Sequence, residues 1–294
     1  MLTGDLLNHE QLDEDQAMKM LKRLRAIVKS GLGRLAVLAF PGRARVVEQN
    51  IAAADSTLLD RIIRLGLICR VDDPERISQL HHRTWAGEQG LNFAAKFGGR
   101  FEAWFKSSHV SIVDELEKVL AERAGTYRHF YEIGCGDGQV ANYLSTRLQG
   151  IDDFVGIDIN EQVASCNNQV YQRTNLRFVS GNAADWIGVN GRPRSVFLSN
   201  GGVLEYFSEK AITDLLRKIA TDLKPALFVV GEPLAPDYDL DKETRSRPYG
   251  DEWSFTHNYP HLFSTNGFKV RCQREATTGG YRWLLLLAIA GDGE

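Results

Sequence analysis

The stretch YEIGCGDGQV at residues 131–140 joins an apolar, aromatic run to three alternating glycines, Gly134, Gly136 and Gly138. An acid, Glu132, stands two residues ahead of the first glycine. Glycine permits positive φ angles and lets the backbone approach a ligand closely. The glycines alone leave two interpretations open, a ligand cradle or an ordinary turn, so the surrounding sequence has to decide between them.

Short apolar runs alternate with helix-like segments after residue 127. The first five runs are RHFYEI, DFVGID, NLRFVS, SVFLSN and ALFVVGEP. This alternation predicts a parallel sheet with helices on both faces. The runs GFKVRCQREA and YRWLLLLAIA, joined by TTGG, predict an antiparallel hairpin. We therefore expect an α/β domain over residues 111–294, with a doubly wound, mostly parallel seven-stranded sheet that ends in the antiparallel hairpin.

Residues 1–110 have the pattern of a mainly helical region. Apolar residues at helical spacing predict a helix over residues 13–29 that ends at Gly31. The segment LLDRIIRL predicts another, capped by Asp55 or Ser56 and stopped by Gly66. We expect this region to serve as a cap, a lid or a dimerisation region.

The glycine turn has a second acid at the place where a ligand would need it. In a doubly wound sheet, ligands bind at the carboxyl ends of the strands, and an acid after the second strand typically holds a ribose diol. The run DFVGID places Asp158 there. A dinucleotide fold prefers a small residue where this chain has Gln139, so the spacing fits S-adenosylmethionine better than NAD.

At this point the sequence resembles the class I S-adenosylmethionine-dependent methyltransferases. Their first motif reads acid, any, Gly, any, Gly, any, Gly, as in residues 132–138. The resemblance continues through Asp158, GNAADW (181–186), LSNGGVLEYF (198–207) and LKPALFVVGEP (223–233). It implies the fold and the cofactor, S-adenosyl-L-methionine.

The resemblance also implies roles for individual residues. Asp158 would bind the ribose hydroxyls, Asp185 would accept from the adenine amine, and Trp186 would pack beside the adenine. Alternatives remain open: Asp185 as a turn cap, Trp186 as core and Arg100 as a solvated cation instead of a partner for the methionine carboxylate. The predicted cofactor residues are Glu132, Gly134, Cys135, Gly136, Gly138, Asp158, Ile159, Asn182, Asp185, Trp186, Asn200 and Arg100.

The segment GGVLEYF looks like the part of small-molecule methyltransferases that faces the cofactor or the acceptor. It places Glu205 and Tyr206 there, although local packing explains both residues equally well. The segment lacks the Asn-Pro-Pro-Tyr motif of enzymes that act on adenine or glutamine amines. We therefore expect a small-molecule acceptor, methylated on oxygen or nitrogen.

A long insertion at residues 233–262 is expected to cover the acceptor as a lid. It contributes Tyr249, Trp253 and Tyr259 as predicted substrate-binding residues. Histidine titrates near neutral pH, so His257 is predicted as the catalytic base, with Glu205 as its competitor. His261 follows four residues later, but no third ligand is evident and no metal site is expected.

The composition narrows the class of partner. With 35 basic and 38 acidic side chains, a formal charge of −3 disfavours a nucleic-acid footprint. The N-terminal residues lack a basic segment followed by an apolar core, so we expect a cytoplasmic protein without a membrane partner. The helix and following residues near LLDRIIRL resemble a winged-helix dimerisation module of some small-molecule methyltransferases, which leaves a homodimer possible beside a plain helical hairpin.

Three hypotheses for function follow. The first is a methyltransferase of small biosynthetic metabolites. The second is a protein of methyltransferase fold that binds the cofactor or a partner without turnover. The third, an RNA or protein methyltransferase, is disfavoured by the charge balance.

Overall fold

A computed structural model describes residues 31–49, 57–68, 73–96, 99–250 and 252–291. The chain divides into two compact units, Met1–Asp73 and Pro74–Glu294. This division differs from the predicted boundary at residue 110, because residues 74–109 belong to the same unit as the sheet. The contacts that hold these residues there are described with the site.

The first unit is helical in the part that the structure describes. Residues 31–39 form a helix, followed by α1 (Pro41–Gln49) and α2 (Leu58–Ile68). Gly31 lies within the first of these helices, so the prediction that it ends a helix is wrong. The predicted helix at residues 13–29 lies outside the described residues.

Gly66 lies inside α2 and does not end it, contrary to the sequence-based prediction. A Cβ atom added to Gly66 would lie 2.0 Å from the carbonyl oxygen of Gly33. A Cβ added to Gly33 would in turn lie 2.4 Å from the amide nitrogen of Gly66. The two glycines therefore let two helix backbones touch, a role that helix-stop rules do not anticipate.

The N-terminus of α2 is capped by Thr57, whereas the predicted caps at 55 and 56 lie outside the described residues. The Asp60 amide donates to Thr57 Oγ1 at 3.2 Å, and the Thr57 amide donates to Asp60 Oδ2 at 3.0 Å. This reciprocal pair is a capping box. Arg43 of α1 also donates to both oxygens of Asp60, at 2.7 and 2.8 Å, and this pairing lowers the pKa of Asp60.

The second unit is built on the predicted seven-stranded sheet. Its order is β3-β2-β1-β4-β5-β9-β8, in which β1 to β5 run parallel and β9 is antiparallel to both β5 and β8. A separate antiparallel pair, β6 and β7, lies in the insertion. The strands are β1 (His129–Ile133), β2 (Asp153–Asp158), β3 (Leu176–Ser180), β4 (Ser195–Asn200), β5 (Ala226–Leu234), β6 (Arg247–Tyr249), β7 (Ser254–Thr256), β8 (Lys269–Thr278) and β9 (Tyr281–Ala290).

Helices precede the sheet and connect its strands. A π-helix (Phe101–His109) runs directly into α5, and a 3-10 turn (Leu204–Tyr206) follows β4. The α-helices of this unit are α3 (Pro74–Ala86), α4 (Glu88–Lys96), α5 (Val110–Glu122), α6 (Gln139–Arg147), α7 (Glu161–Val170), α8 (Ala183–Asn190), α9 (Glu209–Asp222) and α10 (Tyr259–Thr265).

Alternate residues of each strand enter two hydrophobic cores, one on each face of the sheet. Phe130 of β1 joins the core formed with α5, α6 and α7, whereas its neighbour Tyr131 joins the core formed with α8, α9 and α10. This alternation is the two-residue period of a strand. All nine residues of β5 are buried, as expected for a central strand covered on both faces.

No helix in the described part of the chain is long and apolar enough to cross a membrane.

The contact between Gly33 and Gly66 predicts a large stability difference between two glycine substitutions. Gly66→Ala should destabilise the first unit by about 1–3 kcal/mol, because the new methyl group overlaps a backbone carbonyl. Gly42→Ala in α1 is the matched control, since a Cβ there meets no described atom within 4 Å. We expect Gly42→Ala to be neutral or stabilising by up to about 1 kcal/mol, because alanine favours helices.

Hydrogen exchange of residues 57–68 across a denaturant series measures both effects. Equal protection in the two variants would show that the helices do not depend on this close approach.

Candidate active site

The glycine loop follows β1 and is held by the end of β2. The amides of Gly134 and Cys135 both donate to the carbonyl of Ile157, at 2.8 and 3.0 Å. The φ angles of Gly134, Gly136 and Gly138 are +69°, +50° and +75°. Because other residues rarely adopt these angles, the three glycines determine the shape of the loop.

Asp158 ends β2 and fixes the middle of this loop. Its Oδ2 accepts the amide of Gly136 at 2.9 Å, and its Oδ1 accepts the amide of Asn160 at 2.9 Å. Burial raises the pKa of Asp158, and these two hydrogen bonds oppose the rise. A carboxylate has about four lone-pair sites, so capacity remains for two hydroxyl donors.

Glu132 lies beneath the loop and is buried, with 2% of its surface exposed. Burial raises the pKa of Glu132 well above its usual range, and Asp137 and Asp158 add to the rise, while an interaction with the Ala141 backbone lowers it. Its Oε2 has no hydrogen-bond partner within the described chain. A buried acceptor without a donor is costly, so this atom marks a place where a ligand donor fits.

The loop after β3 carries the residues predicted to face adenine. Asn182 caps α8, because its Oδ1 accepts the amides of Ala184 at 3.0 Å and Asp185 at 3.4 Å. Asp185 is exposed and lies in the first turn of α8, whose N-cap is Asn182. Trp186 and Ile159 are half-buried, and the Trp186 ring lies 5.8 Å from that of Tyr131.

Helices α3 and α4 form a wall across the carboxyl ends of the strands. The Asn160 side chain donates to the carbonyl of Gly87 at 2.8 Å and to that of Trp85 at 3.3 Å. The Trp85 ring lies 5.1 Å from Tyr206, and His82 contacts Asn182 at 3.3 Å. The wall therefore spans the ends of β2, β3 and β4.

Arg100 precedes the π-helix and lies close to the glycine loop. Its guanidinium stacks over the ring of Phe93 at 4.2 Å. Burial lowers the pKa of Arg100, and the nearby charge of Asp137 opposes that change. The fold thus brings this cation to the glycine loop, which the family resemblance places under the methionine part of the cofactor, and pairing of Arg100 with the methionine carboxylate stays a prediction.

Glu232, at the end of β5, organises the loop after β4. Its carboxylate accepts the hydroxyl of Ser199 at 2.7 Å and the amide of Val203 at 2.9 Å. Burial raises the pKa of Glu232 to about 7, and its hydrogen bonds limit the rise. The loop that it holds borders the glycine loop, since a Cβ added to Gly134 would lie 2.5 Å from Val203.

Glu205 follows in the 3-10 turn and has a different environment. Its Oε2 accepts the hydroxyl of Tyr249 at 3.1 Å. Burial raises the pKa of Glu205 to about 8, and Glu232 and Glu252 add to the rise. The hydroxyl of Tyr206 donates to Glu252 at 3.1 Å, which places a second acid beside the same turn.

The predicted base His257 lies against the backbone of the turn that contains Glu205. His257 is fully buried in the insertion, and its Nδ1 lies 2.7 Å from Ser246 Oγ. Burial lowers its pKa to about 4, partly offset by Glu209 and by the backbone of Leu204 and Phe207. A buried imidazole of such low basicity is poorly suited to take a proton from a substrate, so this position disfavours the sequence-based preference for His257.

The remaining predicted substrate residues lie in or beside the insertion. Half-buried Trp253 has a φ of +58°, and its carbonyl is 3.1 Å from His81 Nε2. Tyr259 is fully buried at the start of α10. Their contact with a substrate stays a prediction.

A histidine that the sequence did not single out contacts Asn200. His109 ends the π-helix and is fully buried, with its Nδ1 2.7 Å from Asn200 Oδ1. A Cβ added to Gly231 would lie 2.5 Å from that oxygen and 3.4 Å from His109 Nδ1, so the pair depends on a glycine in β5. An isolated histidine before a helix carries no sequence signal for this role, because its partner comes from a distant strand.

Glu232 was also missed, although a signal was present. An acid inside a strand as apolar as ALFVVGEPL has to be buried, and a buried carboxylate needs donors. Pattern reasoning treated this residue as part of a strand and assigned it no function.

Part of the second unit matches a known family model. Residues 130–226 match the family described as "Methyltransferase domain", a span that contains the glycine loop, Asp158 and Glu205. A comparison with curated proteins gives no significant match.

Solved structures share the fold at low sequence identity. A Leishmania major S-adenosylmethionine-dependent methyltransferase has a TM-score of 0.53 and 12% identity, covering 74% of this chain and 85% of its own. The putative methyltransferase in a complex with the Haloferax volcanii Trm112 activator has a TM-score of 0.52 and 15% identity, covering 71% and 99%. Magnesium protoporphyrin IX methyltransferase from Synechocystis PCC 6803, with bound SAH, has a TM-score of 0.51 and 15% identity, covering 72% and 100%.

Fold, family match and glycine loop together define a class I methyltransferase domain. Residues 130–226 are identified by this match as a methyltransferase domain, for which the glycine loop and Asp158 predict S-adenosylmethionine as the cofactor. The site fits this group: Glu132 offers an acceptor that lacks a donor in the described chain, and a Cβ at Gly136 would enter space with no described atom within 4 Å.

The open space at Gly136 predicts a selective loss of cofactor binding in Gly136→Ala. Gly150→Ala is the matched control, because Gly150 also has a positive φ, +83°, with no described atom within 4 Å of an added Cβ. Both substitutions carry a backbone strain of about 1–2 kcal/mol. Only Gly136→Ala should weaken the binding of S-adenosylhomocysteine in isothermal titration, by about tenfold or more, because its methyl group enters the ligand space.

NAD should bind neither the wild type nor the variants. Equal affinity of the two variants for S-adenosylhomocysteine, or binding of NAD, would contradict this assignment of the loop.

Proposed function

We propose that the protein transfers a methyl group to an oxygen or nitrogen of a small biosynthetic metabolite. The observation that carries the proposal is the buried carboxylate of Glu205, which lies in the turn after β4, beside the glycine loop. It accepts the Tyr249 hydroxyl and belongs to a cluster that also contains Tyr206 and Glu252. These are groups that bind or deprotonate a small polar acceptor.

The cofactor is held by residues at the ends of the first four strands. Its ribose hydroxyls have acceptors in Asp158, and its adenine has the exposed carboxylate of Asp185 and the half-buried ring of Trp186. Arg100 offers a positive charge to the carboxylate of its methionine part, and Glu132 offers an unpartnered carboxyl oxygen to the amine. When bound, the cofactor supplies a methyl group on a positively charged sulfur.

The chain's own contribution is to position the acceptor, exclude water and take up a proton. In-line transfer depends chiefly on alignment of the reacting atoms. The wall of α3 and α4 and the insertion at residues 233–262 border the turn that contains Glu205, and Ser78 of α3 donates to the Tyr206 carbonyl at 2.8 Å. We assign the proton acceptor to Glu205 because it is the more basic of the two candidates.

Binding without turnover is the principal alternative. Under this alternative the raised pKa of Glu205 would have no function. The alternative predicts that no acceptor is converted to a methylated product. Methylation of RNA or protein is the other alternative, and the acidic cluster beside the glycine loop disfavours a polyanionic substrate.

The proposed acceptor class is tested by fractionating a cell extract into small molecules, RNA and protein. Each fraction is incubated with the protein and S-adenosylmethionine, and the release of S-adenosylhomocysteine is measured by mass spectrometry. We expect release with the small-molecule fraction, and its loss in Gly136→Ala. Release with the RNA or protein fraction alone would contradict the proposal, and no release with any fraction would support binding without turnover.

Assignment of the base to Glu205 predicts a rising pH profile. Only the ionised carboxylate accepts a proton, so turnover should increase with pH and level off above about 8, the pKa of Glu205. Glu205→Gln should lower turnover by about a hundredfold or more at unchanged cofactor affinity. His257→Asn serves as the comparison and should keep the wild-type profile.

The opposite ranking of the two variants would return the role to His257. Near-wild-type rates in both would show that alignment alone drives the transfer.

A further inference from the structure

Three carboxylates lie around the turn after β4. Glu205 is 9% exposed and Glu232 is fully buried, whereas Glu252 lies at the surface. Tyrosine hydroxyls reach two of them, Tyr249 to Glu205 and Tyr206 to Glu252, both at 3.1 Å. Glu232 is satisfied by Ser199 and the backbone of the turn, so Glu205 is the buried acid with acceptor capacity to spare.

Tyr259 provides an independent indication of a ligand. Its side chain is fully buried, yet its hydroxyl has no hydrogen-bond partner among the residues that the structure describes. Burial raises the pKa of Tyr259, and Glu232, Glu205, Tyr249 and Tyr238 add to the rise, so the hydroxyl lies in the electrostatic field of the acidic cluster. Buried tyrosine hydroxyls usually have a partner, so a ligand that forms a hydrogen bond with this hydroxyl would complete the site.

The charges around Glu205 have one sign. The ionisable acids that act on it are Glu232 and Glu252, and the donors that oppose them are the neutral hydroxyls of Ser254 and Tyr249. Arg100 instead lies near Asp137 of the glycine loop, at the cofactor end of the site. Buried carboxylates are stable when paired with a cation, which a ligand can supply.

We propose that the methyl acceptor is a small amine that binds as a cation, with its ammonium group donating to Glu205 and to the Tyr259 hydroxyl. This inference rests on the proposed function and specifies its acceptor. An ammonium has only donors, and the Glu205 carboxylate and the lone pairs of the Tyr259 hydroxyl are acceptors that match it. An alcohol would place a neutral group among three acids, and a carboxylate would add a fourth negative charge.

The geometry leaves room for this carboxylate and gives it a chemical role. A Cβ added to Gly202 would lie 2.5 Å from Glu205 Oε1, so a larger residue at position 202 would displace the carboxylate.

The proposed acceptor needs a base. An ammonium nitrogen has no lone pair until it loses a proton. Its N–H bond breaks, the electron pair stays on nitrogen, and the proton forms an O–H bond with Glu205.

Paired probes of equal shape test the charge preference. Isothermal titration of the protein saturated with S-adenosylhomocysteine, at pH 7, compares 2-phenylethylamine with 2-phenylethanol, tyramine with tyrosol, and hexylamine with hexanol. We expect the amine of at least one pair to bind about tenfold or more tightly than its alcohol. Amine binding should also release protons, because the nearby cation lowers the pKa of Glu205.

Two variants connect this preference to Glu205. Glu205→Gln has nearly the same shape and should abolish both the preference and the proton release. Glu122→Gln, at an exposed site on α5, should retain them. Equal signals for both members of every pair, including no signal, would overturn the proposal, as would an undiminished preference in Glu205→Gln.

The outcomes separate this inference from the proposed function. If alcohols or acids from the small-molecule fraction are methylated while amines are not, the function stands and the amine assignment is wrong. If no small molecule is methylated, the proposed function itself is wrong.

Discussion

The carboxylate of Asp158 joins the segments on which the cofactor site depends. One of its oxygens holds the glycine loop through the Gly136 amide, and the other holds the Asn160 amide at the start of α7. Asn160 in turn caps that helix and binds the carbonyls at the end of α3. Burying a carboxylate is unfavourable without donors, and here the donors are the backbone groups whose positions form the site. One side chain thereby couples the first strand-to-helix turn to the wall above it.

Glu232 has a similar structural role at the other end of the site. It accepts donors from Ser199 and from the turn after β4, so its hydrogen-bonding capacity is used within the protein. Glu205, in the 3-10 turn, has the hydroxyls of Ser254 and Tyr249 and the acids Glu232 and Glu252 nearby. The two buried glutamates therefore differ in their surroundings: a serine hydroxyl and a backbone amide hold Glu232 in place, while Glu205 is the residue that we propose as the proton acceptor.

The wall formed by α3 and α4 explains why residues 74–109 belong with the sheet. Its contacts are made with polar groups at the strand ends, including Asn160, Asn182 and Tyr206. The strand ends would otherwise be open to water, and water competes with the polar interactions that bind and align a substrate. Phe93 of α4 stacks with Arg100, which precedes the π-helix and lies near Asp137 of the glycine loop.

The sheet and its cofactor loop could be predicted because local patterns specify them. Apolar runs and two-residue alternation predict strands, and they predicted the seven strands of the sheet. The spacing of the three glycines predicted the loop at residues 134–138. The TTGG turn between the last two apolar runs predicted the antiparallel hairpin that ends the sheet. These features depend on residues that are neighbours in sequence.

Contacts between segments that are distant in sequence could not be predicted from local patterns. Gly66 has the pattern of a helix stop, but Gly33 makes it a point of contact between helices. His109 meets Asn200 across 91 residues, and His257, which the sequence favoured as a base, is enclosed by the insertion and loses basicity. The basicity of an ionisable group depends on its burial and on nearby charges, and both are set by packing between segments that the linear order keeps apart.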